Sequence, residues 1–310
     1  MTSPSTTAAD SARIPSSGVK VAVLGPGGIG GLLAALLSRA GHRVICIAGE
    51  ATAEALRHDG IRVRSEQFGD FTAGVEADTA LREPVDLCLV TVKQNALDAA
   101  LDRTPPHFLD GGIVLPLLNG IEHMSTLRAH YGAEGVVAGV IRVESTRIAP
   151  GVIEHGSPFL DIDLAPTGAT EAVAPLAALL NAVGANTRVV GGETAVLWGK
   201  LAFLAPFALL TTRYRLPIGA IRTERRQELE ALVEETVAVS SAAGGPGDAA
   251  HVLSRYDAFP PGSKSSMLRD AEAGRPLELD AIGGALLRAG ERLGIPTPLT
   301  TRLMSELRAD

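Results

Sequence analysis

Short continuous apolar runs alternate with stretches whose apolar residues fall three and four apart over the first two thirds of the chain. Val19–Leu24 (VKVAVL) is the first run; it stops at glycine, and the helical pattern LLAALLSRAGH follows. Further strands are predicted at Arg43–Ala48, Ile61–Arg64, Phe71–Val75, Val85–Val90, Gly112–Leu118, Val136–Val143, Gly151–Glu154, Phe159–Leu164 and Thr187–Val190. VDLCLV and GIVLPLL are largely unbroken by polar residues, as strands buried on both faces of a parallel sheet require. Helical patterns intervene at Thr52–His58, after Lys93, at Glu122–Tyr131 and at Glu171–Val183. This alternation predicts the α/β class, with a Rossmann-type doubly wound sheet.

The pattern changes near Gly191-Gly192. Helices alone are predicted beyond it, over Thr194–Leu210, Thr223–Ala243, Asp248–Phe259, Ser265–Ala273, Leu277–Leu293 and Pro298–Arg308. The expected organisation is a tail over 1–18, a dinucleotide-binding domain over 19–190 and an all-helical substrate and catalytic domain over 191–310. The tail, rich in Ser, Thr, Ala and Pro, reads as disordered and lacks the basic start and apolar run of a secretory signal. LWGKLAFLAPFALL carries a lysine and a proline and is short for a membrane span.

Composition narrows the partners. At 310 residues, 46% hydrophobic and 20% charged, the chain has the make-up of a soluble globular protein long enough for two cores. Its net charge of −7 argues against nucleic acid or an anionic membrane as partner. Cys46 and Cys88 each lie within an apolar run and read as buried free thiols, which fits a cytoplasmic location. The histidines show no metal-ligand spacing, so no metal is expected. The apolar helices beyond residue 191 suit a homodimer, and a monomer would bury them equally well.

Chemistry concentrates at a few positions. Gly25-x-Gly27-x-x-Gly30 stands between a strand and a helix, the context of a dinucleotide site. Gly25 permits the tight turn, Gly27 lets a pyrophosphate approach the backbone, and Gly30 lets the helix pack on the strand; Gly28 and Ile29 complete the expected cofactor contacts. Lys93 and Asn119-Gly120 follow predicted strands at their carboxyl ends, where ligands bind in this architecture. Lys93 reads as a cation for cofactor or substrate, or as a solvated loop lysine. Asn119 reads as an amide for the nicotinamide ribose or substrate, or as half of an ordinary turn. Lys200 sits in an apolar helix, either snorkelling to the surface or held in a cleft where burial suits it to proton donation. Glu278 and Asp280 open a helix and are favoured there by its dipole; a functional role needs a cation, for which Lys200 is the candidate. Ser265-Ser266 precedes another helix and reads as a capping pair or as a carboxylate site.

Taken together, GPGGIGG, LVTVKQNALDAAL, LPLLNGIEHM, APGVIEHG, LWGKLAFL and SSMLRDAEAGRPLELDAIGGALLRAGERLGIPTP resemble the ketopantoate reductase (2-dehydropantoate 2-reductase) family from Val19 almost to the C-terminus. The resemblance implies reduction of 2-dehydropantoate to pantoate by NADPH, for pantothenate and coenzyme A synthesis. It implies that Lys200 is the catalytic lysine and Glu278 its acidic partner. It further implies that Ser266 binds the substrate carboxylate, that Asn119 lies near nicotinamide and lysine, and that Lys93 touches cofactor and substrate. Three positions depart from the family pattern: Leu204 and Ala208, four and eight residues after Lys200, and Gly283 replace asparagines that are usual there. Groups four and eight apart share a helix face, so two amide contacts give way to apolar surface. The cofactor region departs as well. Gly49-Glu50 stands where an arginine for an adenosine 2′-phosphate is common, and Glu50 suits the 2′-hydroxyl of NAD. NADP is the expected cofactor, with NAD second. A related oxidoreductase with a more apolar carbonyl substrate, and a non-catalytic NAD(P)-binding sensor, are the alternatives.

Overall fold

A computed structural model of the chain describes residues 18–166 and 170–309. Apart from Gly18, the predicted tail lies outside the described residues. The described chain forms two compact units. The first takes in the described part of Met1–Val92, together with Ala99–Leu117 and Leu127–Val189; the second comprises Lys93–Asp98, Leu118–Thr126 and the chain from Val190 on.

The strands are β1 (Lys20–Leu24), β2 (Arg43–Ile47), β3 (Ile61–Ser65), β4 (Phe71–Ala73), β5 (Glu76–Asp78), β6 (Leu87–Val90), β7 (Ile113–Pro116), β8 (Ala138–Arg142), β9 (Ser145–Ala149), β10 (Val152–His155), β11 (Asp161–Ala165) and β12 (Asn186–Val189). A five-stranded sheet runs β5-β2-β1-β6-β7 with every pairing parallel. All four residues of β6 and of β7 are buried, which is why their sequences lack alternation. Beyond β7 the sheet continues only as a single parallel bridge, Val114 of β7 to Val136 just ahead of β8, with the Val137 N–H donating to the Val114 carbonyl at 3.0 Å; the remaining strands pair elsewhere. They form a four-stranded sheet β4-β3-β10-β9 and a three-stranded sheet β12-β11-β8, both containing antiparallel pairs. The connection between β9 and β10 is a short turn at Pro150-Gly151, and so tight a link can join only antiparallel strands. Helices α1 (Gly28–Arg39) and α2 (Glu50–Asp59) follow β1 and β2. Leu32, Leu33, Leu36 and Leu37 of α1 are buried in one core with β1, β2, β3 and β6.

Three helices come next in chain order, α3 (Leu97–Leu101), α4 (His123–Tyr131) and α5 (Thr170–Ala182). Then follow α6 (Glu193–Tyr214), α7 (Ile218–Glu224), α8 (Arg226–Ala242), α9 (Ala249–Ala258), α10 (Ser266–Glu272), α11 (Ala285–Leu293) and α12 (Pro298–Ala309). Helix α6 is the axis of the second unit's core. By length and composition it is apolar enough to cross a membrane, but 72% of its most apolar window is buried inside the protein, which accounts for its apolarity. The predicted Thr223–Ala243 helix is two elements: Arg225 at φ −129° breaks the helical path between α7 and α8. The predicted Leu277–Leu293 helix begins instead as a π-helical turn over Asp280–Gly284 before α11.

Candidate active site

The glycine turn after β1 has the form a dinucleotide requires. Gly25 has φ +86°, and a Cβ there would lie 2.5 Å from Val92 Cγ1, so only glycine fits the turn. The carbonyl oxygen of Gly25 accepts from the Gly27 N–H at 2.7 Å and from the Thr91 hydroxyl at 2.8 Å, which fixes the turn against β6. Gly27 caps α1, and a Cβ there would meet nothing nearer than 3.9 Å; this is the position open to an approaching phosphate. The first-turn N–H groups of α1 have no partner within their own helix and carry the positive end of its dipole. A Cβ at Gly30 would fall 2.6 Å from the Gly25 carbonyl oxygen, so this glycine sets helix–strand packing. Gly28 also has a packing role: a Cβ would run into the Ser145 carbonyl oxygen, and the Ser145 hydroxyl donates to the Gly28 carbonyl at 2.8 Å. Ile29 packs against the core of the first unit. The turn therefore fits a nicotinamide dinucleotide, with Gly27 and the start of α1 toward its phosphates. Glu50, exposed at the start of α2, is ion-paired with Arg57 at 2.9 Å.

The other candidates belong to the second unit. Asn119 donates from Nδ2 to Glu278 Oε2 at 3.0 Å, joining residues 159 apart in sequence. Both are half-buried. Gly120 beside Asn119 has φ +83°, and a Cβ there would run into the Ala281 carbonyl oxygen. The Asn-Gly turn is thus seated on the π-helical turn that follows Glu278. That turn packs in its other direction against α6, the helix of Lys200. Arg288 locks the arrangement: it donates to both carboxylate oxygens of Glu122, at 2.9 and 2.5 Å, and to Asp280 Oδ1 at 2.8 Å. The hydrogen bond from Arg288 holds the Asp280 carboxyl below its ordinary range. The two acidic residues that the sequence treats alike therefore part: Asp280 is a structural anchor, and Glu278 faces Asn119.

Lys200 is half-buried on α6. One helical turn on is Leu204, partly buried against the apolar core, and a second turn on is Ala208, fully buried. His123, which sequence reasoning passed over, opens α4 and is fully buried. Burial first, and the positive charge of Lys200 second, push its imidazole down to about 4. Lys93 donates to Asp270 Oδ2 at 2.7 Å and to the Pro276 carbonyl at 3.0 Å. In this structure it is one side of an ion pair with Asp270 that Arg275 shares. Of the serine pair, Ser265 caps α10, accepting from the Leu268 N–H at 3.0 Å and pairing with the Thr211 hydroxyl at 2.8 Å. Ser266 is exposed. No signal in the sequence separates His123 from the other six histidines, because burial and the nearness of Lys200 are products of the fold. Among the described residues no cluster of three potential metal ligands occurs.

Residues 21–166 match the family described as ketopantoate reductase PanE/ApbA, and residues 194–310 match its C-terminal family. A 2-dehydropantoate 2-reductase of Caulobacter vibrioides is 30% identical, over 93% of this chain and 98% of its own length. The crystal structure of a PanE/ApbA family ketopantoate reductase from Ralstonia eutropha superimposes with a TM-score of 0.85 at 30% identity, covering 94% of this chain and 97% of that one. A D-mandelate dehydrogenase with NADH and anilino(oxo)acetate has a TM-score of 0.87 at 21% identity, covering 94% and 97%. At that identity the likeness concerns the fold.

Proposed function

The chain belongs to the ketopantoate reductase family and is an NAD(P)-dependent oxidoreductase, and from that premise we propose that it reduces a 2-oxo acid to the 2-hydroxy acid, with 2-dehydropantoate as first candidate. In that role it serves pantothenate synthesis, and its place is the cytoplasm. The observation that carries the reading is the hydrogen bond between Asn119 and Glu278, made at the turn that packs on Lys200's helix.

A bound reduced nicotinamide supplies a hydride to the 2-oxo carbon. Charge then grows on the carbonyl oxygen. The Lys200 ammonium stabilises that oxygen and gives it a proton from Nζ. Glu278 orients the Lys200 side of the site and accepts from Asn119, so the amide is held with its carbonyl end free for a hydroxyl or ribose donor. Ser266 offers its hydroxyl to the substrate carboxylate. Lys93 reaches cofactor or substrate only by sharing or leaving Asp270. Family membership favours NADPH, whereas Glu50 beside an adenosine ribose would repel a 2′-phosphate and accept from a 2′-hydroxyl.

Leu204 supports a second reading, a more apolar carbonyl substrate. It puts a partly exposed apolar side chain one turn from Lys200, and a site with few polar partners gains little from a hydroxylated substrate. The test is oxidation of NADPH and of NADH, each against 2-dehydropantoate and larger apolar 2-oxo acids, with wild type and Lys200→Ala. Lys200→Ala is expected to keep cofactor affinity and lose at least about a hundredfold in kcat. Wild-type turnover by that variant would remove Lys200 from the mechanism. Turnover confined to the apolar acids would select the second reading.

A further inference from the structure

Strands β3 and β10 place apolar partners, Val63 and Ile153, in the core with α1, and two residues later they break the pattern. Ile153 meets α1 closely: a Cβ at Gly31 would lie 2.6 Å from its Cδ1. The next partners on that face are polar. His155 on β10 stands opposite Ser65 of β3 on one side and Ser145 of β9 on the other. Ser65 and His155 are buried, and Ser145 is half-buried. Both ring nitrogens of His155 are engaged, Nδ1 with the Ser65 hydroxyl at 2.8 Å, Nε2 with the Ser157 hydroxyl at 3.2 Å and the Phe159 carbonyl at 3.3 Å. Phe68 stacks on the ring with centroids 5.4 Å apart. The row ends on α1, where the Ser145 hydroxyl donates to the carbonyl of Gly28, the first residue of the helix, at 2.8 Å. The polar row thus falls at the end of α1 that suits the cofactor's phosphates, one turn before the apolar contact at Gly31.

We propose that Ser145 is a positioning residue for the cofactor's pyrophosphate: its hydroxyl, held in place through His155, fixes the Gly28–Ile29 peptide so that the Ile29 N–H is aimed at a phosphate oxygen. The proposal rests on the reading of the glycine turn as the dinucleotide site.

The Gly28 carbonyl and the Ile29 N–H belong to one planar peptide, so fixing the first fixes the direction of the second. In the first turn of a helix that N–H has no intrahelical partner and points out of the helix start. A donor on the carbonyl also polarises the peptide and strengthens its N–H toward an anion. Glycine at position 28 is what the contact needs, because a Cβ there would run into the Ser145 carbonyl oxygen. Ser145 is held by the groups behind it. The Ser157 hydroxyl donates to the Phe159 carbonyl at 2.7 Å, and its oxygen accepts at 3.0 Å from the N–H of Glu144, the residue before Ser145. The Gly156 N–H donates to the Glu144 carbonyl at 2.8 Å. With the Ser157 proton committed, Nε2 of His155 faces acceptors only and carries the ring's proton, and Nδ1 accepts from Ser65. Burial, which lowers the pKa of the ring, keeps it in this neutral form. His155 therefore fixes Ser157, Ser157 fixes Glu144, and Ser145 is carried with it.

The experiment compares Ser145→Ala, Ser145→Thr and His155→Leu in the full chain. The readouts are the dissociation constants of NADPH and NADH, and kcat and KM for the best 2-oxo acid. Ser145→Ala is expected to weaken the better-bound cofactor by about threefold to tenfold, as loss of one hydrogen bond does. The loss should fall on the cofactor alone, with kcat at saturating cofactor and KM for the oxo acid within about twofold of wild type. Ser145→Thr keeps the hydroxyl on the edge strand and should recover most of the affinity. His155→Leu should weaken the cofactor by a similar factor, and the double variant by no more than the larger single effect, because both act through one contact. Wild-type cofactor affinity in Ser145→Ala overturns the proposal, whether or not His155→Leu folds. So does a loss in kcat and oxo-acid KM that runs in step with cofactor affinity and is not recovered in Ser145→Thr, since that marks a packing residue. Additive losses in the double variant remove His155 from the proposal. Gly27→Val separates the two levels: if it binds either cofactor as well as wild type does, the reading of the glycine turn fails first; if it binds neither while Ser145→Ala binds normally, this proposal alone fails.

Discussion

His123 also ties the acid limit of the fold to its burial. Its imidazole titrates at about 4 in the folded chain against an ordinary value of 6.5. Between those values the unfolded chain binds the extra proton and the folded chain does not, so stability is full above the unfolded value and drains away as pH falls toward 4. For this one group the loss at about pH 4.5, relative to neutral pH, is roughly 2.5 kcal/mol. His42 and His155 are also lowered, by burial first, and act in the same direction. Urea unfolding near pH 7.5 and near pH 4.5 is expected to show this loss in wild type and a loss smaller by about that amount in His123→Leu. Identical losses in the two proteins would mean that the ring is accessible to protons in the folded state. The chemical types at this scale were legible beforehand. A lysine in an apolar helix, an amide after a strand and a carboxylate before a helix could all be named from the sequence. Their partners could not. The sequence shows that Asp280 and Glu278 are both acidic and two apart; only packing shows that Arg288 takes one and Asn119 the other.

The element that organises the candidate site is the π-helical turn Asp280–Gly284, and its two contacts are testable separately. A Cβ at Gly120 must carry φ +83° and meet the Ala281 carbonyl oxygen, a backbone atom that no rotamer change can move. Gly120→Ala is expected to destabilise by about 2 kcal/mol or more and to lower kcat by displacing Asn119 from Glu278. Unfolding midpoints and kcat measured on the same preparation check both effects. Gly283 is a different case. Its φ is ordinary, and a Cβ would fall on the Met304 thioether, a flexible side chain. Gly283→Ala should cost about 1–3 kcal/mol as an overpacked core position. Gly283→Ala with Met304→Ala should cost less than the two single changes together, and strict additivity would contradict the contact. The helical period of LELDAIGGALL predicts one continuous helix. An extra residue in one turn leaves that period almost unaltered, so the π turn is invisible until α6, Gly120 and Met304 close around it.

At the scale of the whole molecule, the parallel sheet holding β1, β2, β6 and β7 was legible, though not its strand order, because buried parallel strands announce themselves as largely unbroken apolar runs. The assignment of β8 to β12 to two smaller sheets was not, since a period of two says which face is buried and nothing about which strand lies alongside. The same holds for the membership of Lys93–Asp98 and Leu118–Thr126 in the second unit. These segments follow β6 and β7 in sequence, yet Lys93 bonds Asp270 and Asn119 bonds Glu278, both far along the chain. The consequence is a division of labour. The glycine turn belongs to the first unit, whereas Lys93, Asn119, His123, Lys200, Ser266 and Glu278 all belong to the second. Cofactor binding and catalytic competence should therefore fail independently. Gly27 has an ordinary φ and an open Cβ direction, so Gly27→Val should leave the ligand-free Tm nearly unchanged while obstructing the phosphates. A ligand at a hundred times its dissociation constant stabilises by about 2.7 kcal/mol. Saturating NADPH or NADH is accordingly expected to raise the Tm of wild type and of Lys200→Ala alike and to leave Gly27→Val unmoved. A cofactor-induced rise in Gly27→Val equal to wild type would show that the pyrophosphate does not approach the backbone at Gly27; loss of the rise in Lys200→Ala would show that the second unit's lysine helps to hold the cofactor.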